Sequence, residues 1–142
     1  MTNTLFDPGR EGFLLGEIAW VTATVKASLV RSYTFTASHK FLTDATGAGA
    51  SLVSTVTLAG RSGTNGHANA TSPTTFPTVA SGAACPVILI YQASAPAGGA
   101  DLATSAQRLI GYIDNALNLP VTPNGGNIDV GWATGTDKIF TL

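Results

Sequence analysis

Catalysis and metal binding draw on few side-chain types, and this chain is sparing with them. Its two histidines, His39 and His67, stand far apart with no Cys or carboxylate at ligand spacing. A metal site needs a full set of such ligands converging on one point, so both histidines read as surface or satisfied core residues. Cys85 is the single cysteine. It forms no intrachain disulfide and no Cys-based metal site, and it reads as a small buried hydrophobe ahead of an apolar run. A serine hydrolase would show G-x-S-x-G between a strand and a helix, and no such arrangement occurs. Among the carboxylates, Asp114 and Asp129 are the one pair that a hairpin could set face to face, as a glycosidase requires. Strand-end and solvent-face positions are the simpler reading. The glycine-rich run Gly60–Gly66 lacks the Lys-Ser/Thr ending and following helix of a phosphate-binding loop, and reads as a hairpin loop. Asn69-Ala70-Thr71 is a glycosylation acceptor, expected to stay unmodified without a secretory leader. Neither an enzyme nor a cofactor is expected.

Composition narrows the classes further. The 142 residues suit one domain spanning 1–142, with 16 Gly, 7 Pro and only 11% charged residues, where an average soluble domain has about 25%. Seven basic and eight acidic residues give a net charge of -1. The Lys and Arg residues are scattered singly, whereas nucleic-acid binding needs them clustered against phosphates. The aromatics Trp20, Tyr33, Phe41, Phe76, Tyr91 and Trp132 are not interleaved with basic residues, so they read as core and interface anchors rather than a base-stacking platform. No apolar run is long enough for a membrane helix. Asp7, Arg10, Glu11 and Glu17 interrupt the first twenty residues, so a secretory leader is not expected. A weakly charged surface suits a protein that lives packed against neighbours.

The elements that would position these residues are mostly strands. A short helix is expected first, with Asp7 as N-cap, Pro8 at the first helical position, and an apolar face of Leu14, Leu15, Ile18 and Ala19. From Val21 the period shifts to two: Val21, Ala23, Val25, Ala27 and Leu29 should face inward. Ser38–Asp44 reads as one or two helical turns capped by Ser38. Leu52, Ser54, Val56 and Leu58 share one face of another strand. Short strands at 68–71 and 74–79 are broken by Pro73 and Pro77 and belong at an edge. Pro86-Val87-Ile88-Leu89-Ile90-Tyr91, the most apolar run, reads as a central strand buried on both faces. Leu109, Gly111 and Ile113 alternate with Ile110 and Tyr112. Ile128, Val130 and Trp132 form a further strand face, and Lys138–Leu142 a last strand. Regular strands with turn chemistry between them predict a mainly β fold: an antiparallel β-sandwich or jelly-roll-like barrel with a short N-terminal helix. Val87, Leu89, Tyr91, Leu109, Ile113, Val130 and Trp132 should lie in its core.

Several stretches carry a family resemblance. Phe6-Asp7-Pro8-Gly9-Arg10-Glu11-Gly12-Phe13-Leu14 opens the chain, with Gly16–Trp20, Val25–Val30, His39–Asp44 and Ile110–Asp114 following. Leu119–Trp132 and Lys138-Ile139-Phe140 end it. Together they resemble a family of small virion structural proteins of tailed bacteriophages. The middle departs from the pattern at Gly60–Pro73 and Gln92–Ala106, which are more neutral and richer in Gly and Ala. The resemblance implies a decoration, or cement, protein on the outside of an icosahedral head, made in the host cytoplasm. It implies the major capsid protein as partner. Self-association, as a trimer about a symmetry axis, is expected from the low charge and this resemblance together. Nucleic acid and membrane are not expected as partners.

The alternatives are a head–tail connector or tail component, a carbohydrate-binding surface module, and a hydrolase. Copy number per particle separates the first from a decoration protein, the second needs a clustered aromatic face, and the third needs paired titratable groups in one cleft. For contact with neighbouring subunits the expected segment is N-terminal: Thr2, Asn3, Thr4, Leu5, Phe6 and Arg10. Leu5 and Phe6 are apolar side chains that a free tail would leave in water. They must either fold back on their own core or dock on a partner, and docking, with the residues before them added as a strand, is the reading preferred.

Overall fold

A computed structural model describes residues 3–132 and 139–142. Its centre is a five-stranded antiparallel sheet in the order β1-β8-β7-β2-β3, made of β1 (Thr4–Leu5), β8 (Arg108–Ile113), β7 (Val87–Gln92), β2 (Val25–Arg31) and β3 (Ser51–Thr57). Every residue of β7 is buried. Val87, Leu89 and Tyr91 enter one apolar cluster, and Ile88 and Ile90 enter the other. A middle strand covered on both faces has no polar side to show, which is why its sequence is an unbroken apolar run.

One face of the sheet is covered by α2 (Leu42–Gly47) and the chain around it, through Tyr33, Leu42 and Ala45. Against the other face lie two small sheets. One joins β10 (Phe140–Thr141), β5 (His67–Asn69) and β4 (Ser62–Thr64); the other pairs β6 (Thr74–Phe76) with β9 (Ile128–Val130). Trp20, Phe76, Trp132 and Phe140 fill the space between, with the Trp20 ring edge-on to Phe140 at 5.0 Å. The fold is therefore mainly β and sandwich-like, and all seven expected core residues are buried.

Several local expectations are corrected. The first helix, α1, runs Asp7–Leu14 with Phe6 as its N-cap. Asp7 sits inside the first turn and pairs with Arg10 at 3.1 Å. The helix stops before Ile18 because Gly16 takes φ +72°. The Glu17 N–H then donates to Gly12 O at 2.8 Å and the Gly16 N–H to Phe13 O, closing a Schellman motif. The apolar residues expected inside separate as a result: Ile18 is buried, whereas Leu14 and Leu15 are 87% and 61% exposed. What α1 buries is Gly9 and Gly12. α2 begins at Leu42, not Ser38, because the Asp44 carboxylate accepts the Lys40 and Phe41 N–H groups at 2.8 Å each, which is half of a capping box. Val21, expected inward, is exposed because β2 starts only at Val25.

In β8 the expected alternation fails at Ile110. Ile90 pairs with Gly111 and Tyr91 with Leu109, so Ile110 is the extra residue of a bulge. A bulge shifts the later side chains by one position. Leu109 and Tyr112 thus share one cluster, and Ile110 and Ile113 the other. Gly60–Gly66, expected as a loop, contains β4, which turns into β5 through Asn65 and Gly66 at φ 53° and 81°. Two successive positive φ values are the signature of a type I′ hairpin turn. Residues 133–138, which include Lys138 at the start of the last expected strand, lie outside the described residues.

Candidate functional site

The N-terminal residues fold onto their own chain. Asn3 Oδ1 accepts the N–H groups of Asp114 and Asn115 at 3.1 and 2.9 Å, and its Nδ2 donates to Asn115 O. Thr4 and Leu5 pair with Tyr112 and Gly111 as the edge strand β1. Leu5 is 3% and Phe6 0% exposed. Phe6 lies 5.1 Å from Phe35. The preference for docking these two side chains on a neighbour is thus corrected: the edge of β8 was open to strand addition, and the chain supplies the strand itself. Arg10 donates to Leu5 O at 3.2 Å and to Asp7. Thr2 lies outside the described residues.

The residues with chemical potential are dispersed. His39 Nδ1 and the Tyr33 hydroxyl share a 2.8 Å hydrogen bond. Burial holds the Tyr33 hydroxyl above its ordinary pKa. His67 lies beside Thr141 at 2.9 Å. Cys85 is fully buried, and its backbone pairs with that of Val121. β8, which Asp114 follows, pairs with β7 and β1, whereas Asp129 lies in β9 against β6. The two carboxylates therefore do not face each other across a hairpin, and Asp129 instead accepts the Thr75 hydroxyl. Among the described residues no group of His, Cys, Asp or Glu could hold a metal ion, and no helix is long and apolar enough to cross a membrane.

What the structure does assemble is an apolar surface that includes Leu14 and Leu15, whose periodicity assigns them to an inward helix face. Leu14 and Leu15 end α1 in solvent, and Leu142 is 61% exposed. Phe13, Leu14, Leu142 and the Arg10 side chain line a cleft of about 330 Å³. A second, wholly apolar recess of about 110 Å³ continues from Phe13 and Leu142 over Trp20 and Phe140. The cause is local: the glycine-terminated helix points its last residues outward. Grouped apolar side chains left in water mark an interaction surface more often than singly scattered ones do.

α1 is braced from beneath by Arg108, which is 7% exposed. One guanidinium nitrogen donates to Pro8 O at 2.7 Å and another is ion-paired with Glu17. Pro8 and Glu17 bracket the helix, so one side chain holds both of its ends. The hydrogen bond and charge of Arg108 keep the Glu17 carboxyl below its ordinary pKa. Arg61 has a similar role nearby, donating to the carbonyls of Trp20 at 2.7 Å, Leu58 at 2.5 Å, Val21 and Ala23. Compared with known proteins, the chain matches no family model, no curated sequence and no solved structure.

Proposed function

We propose that this chain is a structural virion protein of a tailed bacteriophage that binds the outer capsid surface and reinforces the head. The observation that carries the reading is the exposed apolar surface of Leu14, Leu15 and Leu142 beside the cleft at Phe13. It sits on a β scaffold with an 11% charged sequence, and the sequence resemblance points the same way. The mechanism is area burial. A specific interface of about 1,600 Å² holds a partner with no catalytic group, and many copies on a symmetric lattice add avidity. The partner is the major capsid protein. A closed ring, a trimer about a capsid axis, is the assembly that would cover each protomer's apolar side.

Loading onto capsids tests the reading. Purified protein is titrated onto expanded heads that lack it, and bound copies are counted by quantitative gel and cryo-electron microscopy. The expected result is saturation at a multiple of the capsid symmetry, with heads that resist heat better once loaded. Binding limited to roughly a dozen copies at one vertex, the number a closed connector ring supplies, would overturn it.

A further inference from the structure

A second recess, at Lys40 and Phe41, has a different chemistry from the Leu14 surface. It is a cleft of about 450 Å³ between these two residues and the loop that follows β7, within the range of small-ligand sites. Its polar groups divide into committed and uncommitted ones. Gln92 is engaged at both side-chain atoms, its Oε1 accepting the Ala19 N–H and its Nε2 donating to Glu17 O, each at 2.9 Å. Arg108 is tied through its two terminal nitrogens to Glu17 and Pro8, with its buried Nε unpartnered among the described residues, so Arg108 and Glu17 neutralise each other. Lys40 is left over. Its Nζ is held 5.4 Å from the centre of the Phe41 ring, and among the described residues it makes no ion pair. Its attraction to Glu17 ranks after the hydrogen bond and charge of Arg108 among the influences on that carboxyl. Among the described residues Glu17 keeps one oxygen unengaged, on a side chain that is 47% exposed. The facing wall, with Pro96 and Leu102, is apolar.

We propose that this cleft binds a small ligand carrying one carboxylate, an adjacent N–H or O–H donor and a short apolar body. The carboxylate meets Lys40, the one cation of the cleft without an ion-paired acid. The donor meets the free oxygen of Glu17. The apolar body lies on Pro96 and Leu102. A terminal residue of a peptide and an N-acetylated acidic sugar share this chemistry. A ligand with two anionic groups is disfavoured, because the cleft's net charge of one is spent on the first and the Glu17 carboxylate then repels the second. The proposal does not rest on docking at Leu14 and stands if the capsid reading fails.

The test is nuclear magnetic resonance titration of the full chain with N-acetyl-L-leucine, its neutral amide, and N-acetylneuraminic acid. Saturable shifts at Lys40, Phe41 and residues 94–102 are expected with the free acid. The amide should bind about tenfold more weakly, a loss that Lys40→Gln reproduces and Lys40→Arg restores. Equal thermal stability of the variants excludes unfolding as the cause. Tighter binding of the sugar acid than of the peptide acid assigns the source as glycan, the reverse order assigns it as a chain end, and either supports the carboxylate site. Equal binding of acid and amide, shifts centred elsewhere, or no saturation by ~10 mM overturns it.

Discussion

Gly9 sits where α1 meets β8, and an alanine there has two opposed consequences that the geometry can weigh. A Cβ would lie 3.0 Å from the carbonyl oxygens of both Leu109 and Ile110 and 3.3 Å from Ile110 Cα. All three are backbone atoms of a strand hydrogen-bonded on both sides, so they cannot swing aside as a side chain would. Alanine gains about 1 kcal/mol over glycine in a helix. Overpacking against an unyielding neighbour costs about 1–3 kcal/mol. The expected net effect of Gly9→Ala is a loss of about 1 kcal/mol. Gly47 ends α2, where an added methyl group would meet nothing within 4 Å and φ is not positive. Gly47→Ala should therefore stabilise by about 0.5–1 kcal/mol. Gly16 is also open, but its φ of +72° makes Gly16→Ala cost about 1–2 kcal/mol through backbone strain alone. In calorimetry each kcal/mol should move the midpoint by about 2–4 °C for a domain of this size. If Gly9→Ala raises the midpoint as Gly47→Ala does, α1 is not seated on β8 and the packing argument is wrong.

Phe6→Ala should cost about 3–5 kcal/mol in urea unfolding, because a fully buried ring is removed; a cost under ~1 kcal/mol would mean that Phe6 is not in the core. The double change Leu14→Ser and Leu15→Ser should leave urea stability within about 0.5 kcal/mol yet abolish capsid loading, which gel quantification reads directly. The Asp44 carboxyl is held below its ordinary value of 3.8, first by the Phe41 N–H and then by that of Lys40. A depressed folded-state value contributes stability that is complete above 3.8 and lost as pH falls through the lower folded value. Acid unfolding of Asp44→Asn should show a shallower slope in that window, and an identical slope would remove Asp44 from the account.

How far each element was legible in the sequence depended on whether a residue's neighbours were local. β7 was legible because burial on both faces writes itself as Val87-Ile88-Leu89-Ile90-Tyr91, whatever lies above and below. β4 was not, because Ser62-Gly63-Thr64 has no apolar residue to alternate and is exposed throughout; Asn65-Gly66 was the available signal for its turn. The bulge at Ile110 leaves no mark in a sequence that alternates apolar residues on both sides of it. Leu5 and Phe6 announced that they would be buried but not against what, since any open strand edge satisfies them. Leu14 and Leu15 read as core residues because apolar periodicity runs past the true end of α1, and Gly16 is the stop signal that the pattern overrides. The candidate docking surface is hidden in the sequence for that reason alone. The Lys40 cleft joins residues from four separate stretches, and no spacing in the sequence brings them together.

Arg108 connects the two surfaces. Its guanidinium reaches Pro8 at the start of α1 and Glu17 after its end, while a Cβ at Gly12 would come within 2.9 Å of the same group. The helix that presents Leu14 and Leu15 is thus positioned by a residue that also lines the Lys40 cleft. Lysine at 108 would keep the charge and three donors, but all of them leave one nitrogen, so it cannot reproduce the two separate donor positions that face Pro8 O and Glu17. Losing one charge-assisted hydrogen bond costs about 1.5–3 kcal/mol. Arg108→Lys should therefore lower thermal stability, free one end of α1, and weaken both capsid loading and N-acetyl-leucine binding. Lys40→Gln should weaken ligand binding alone, and the Leu14–Leu15 double change should weaken loading alone. Hydrogen exchange on α1 distinguishes the cause: amides of Glu11–Glu17 should exchange faster in Arg108→Lys and at the wild-type rate in the other two. If Arg108→Lys leaves those amides protected and loading intact, the guanidinium serves the cleft only and the two surfaces are uncoupled.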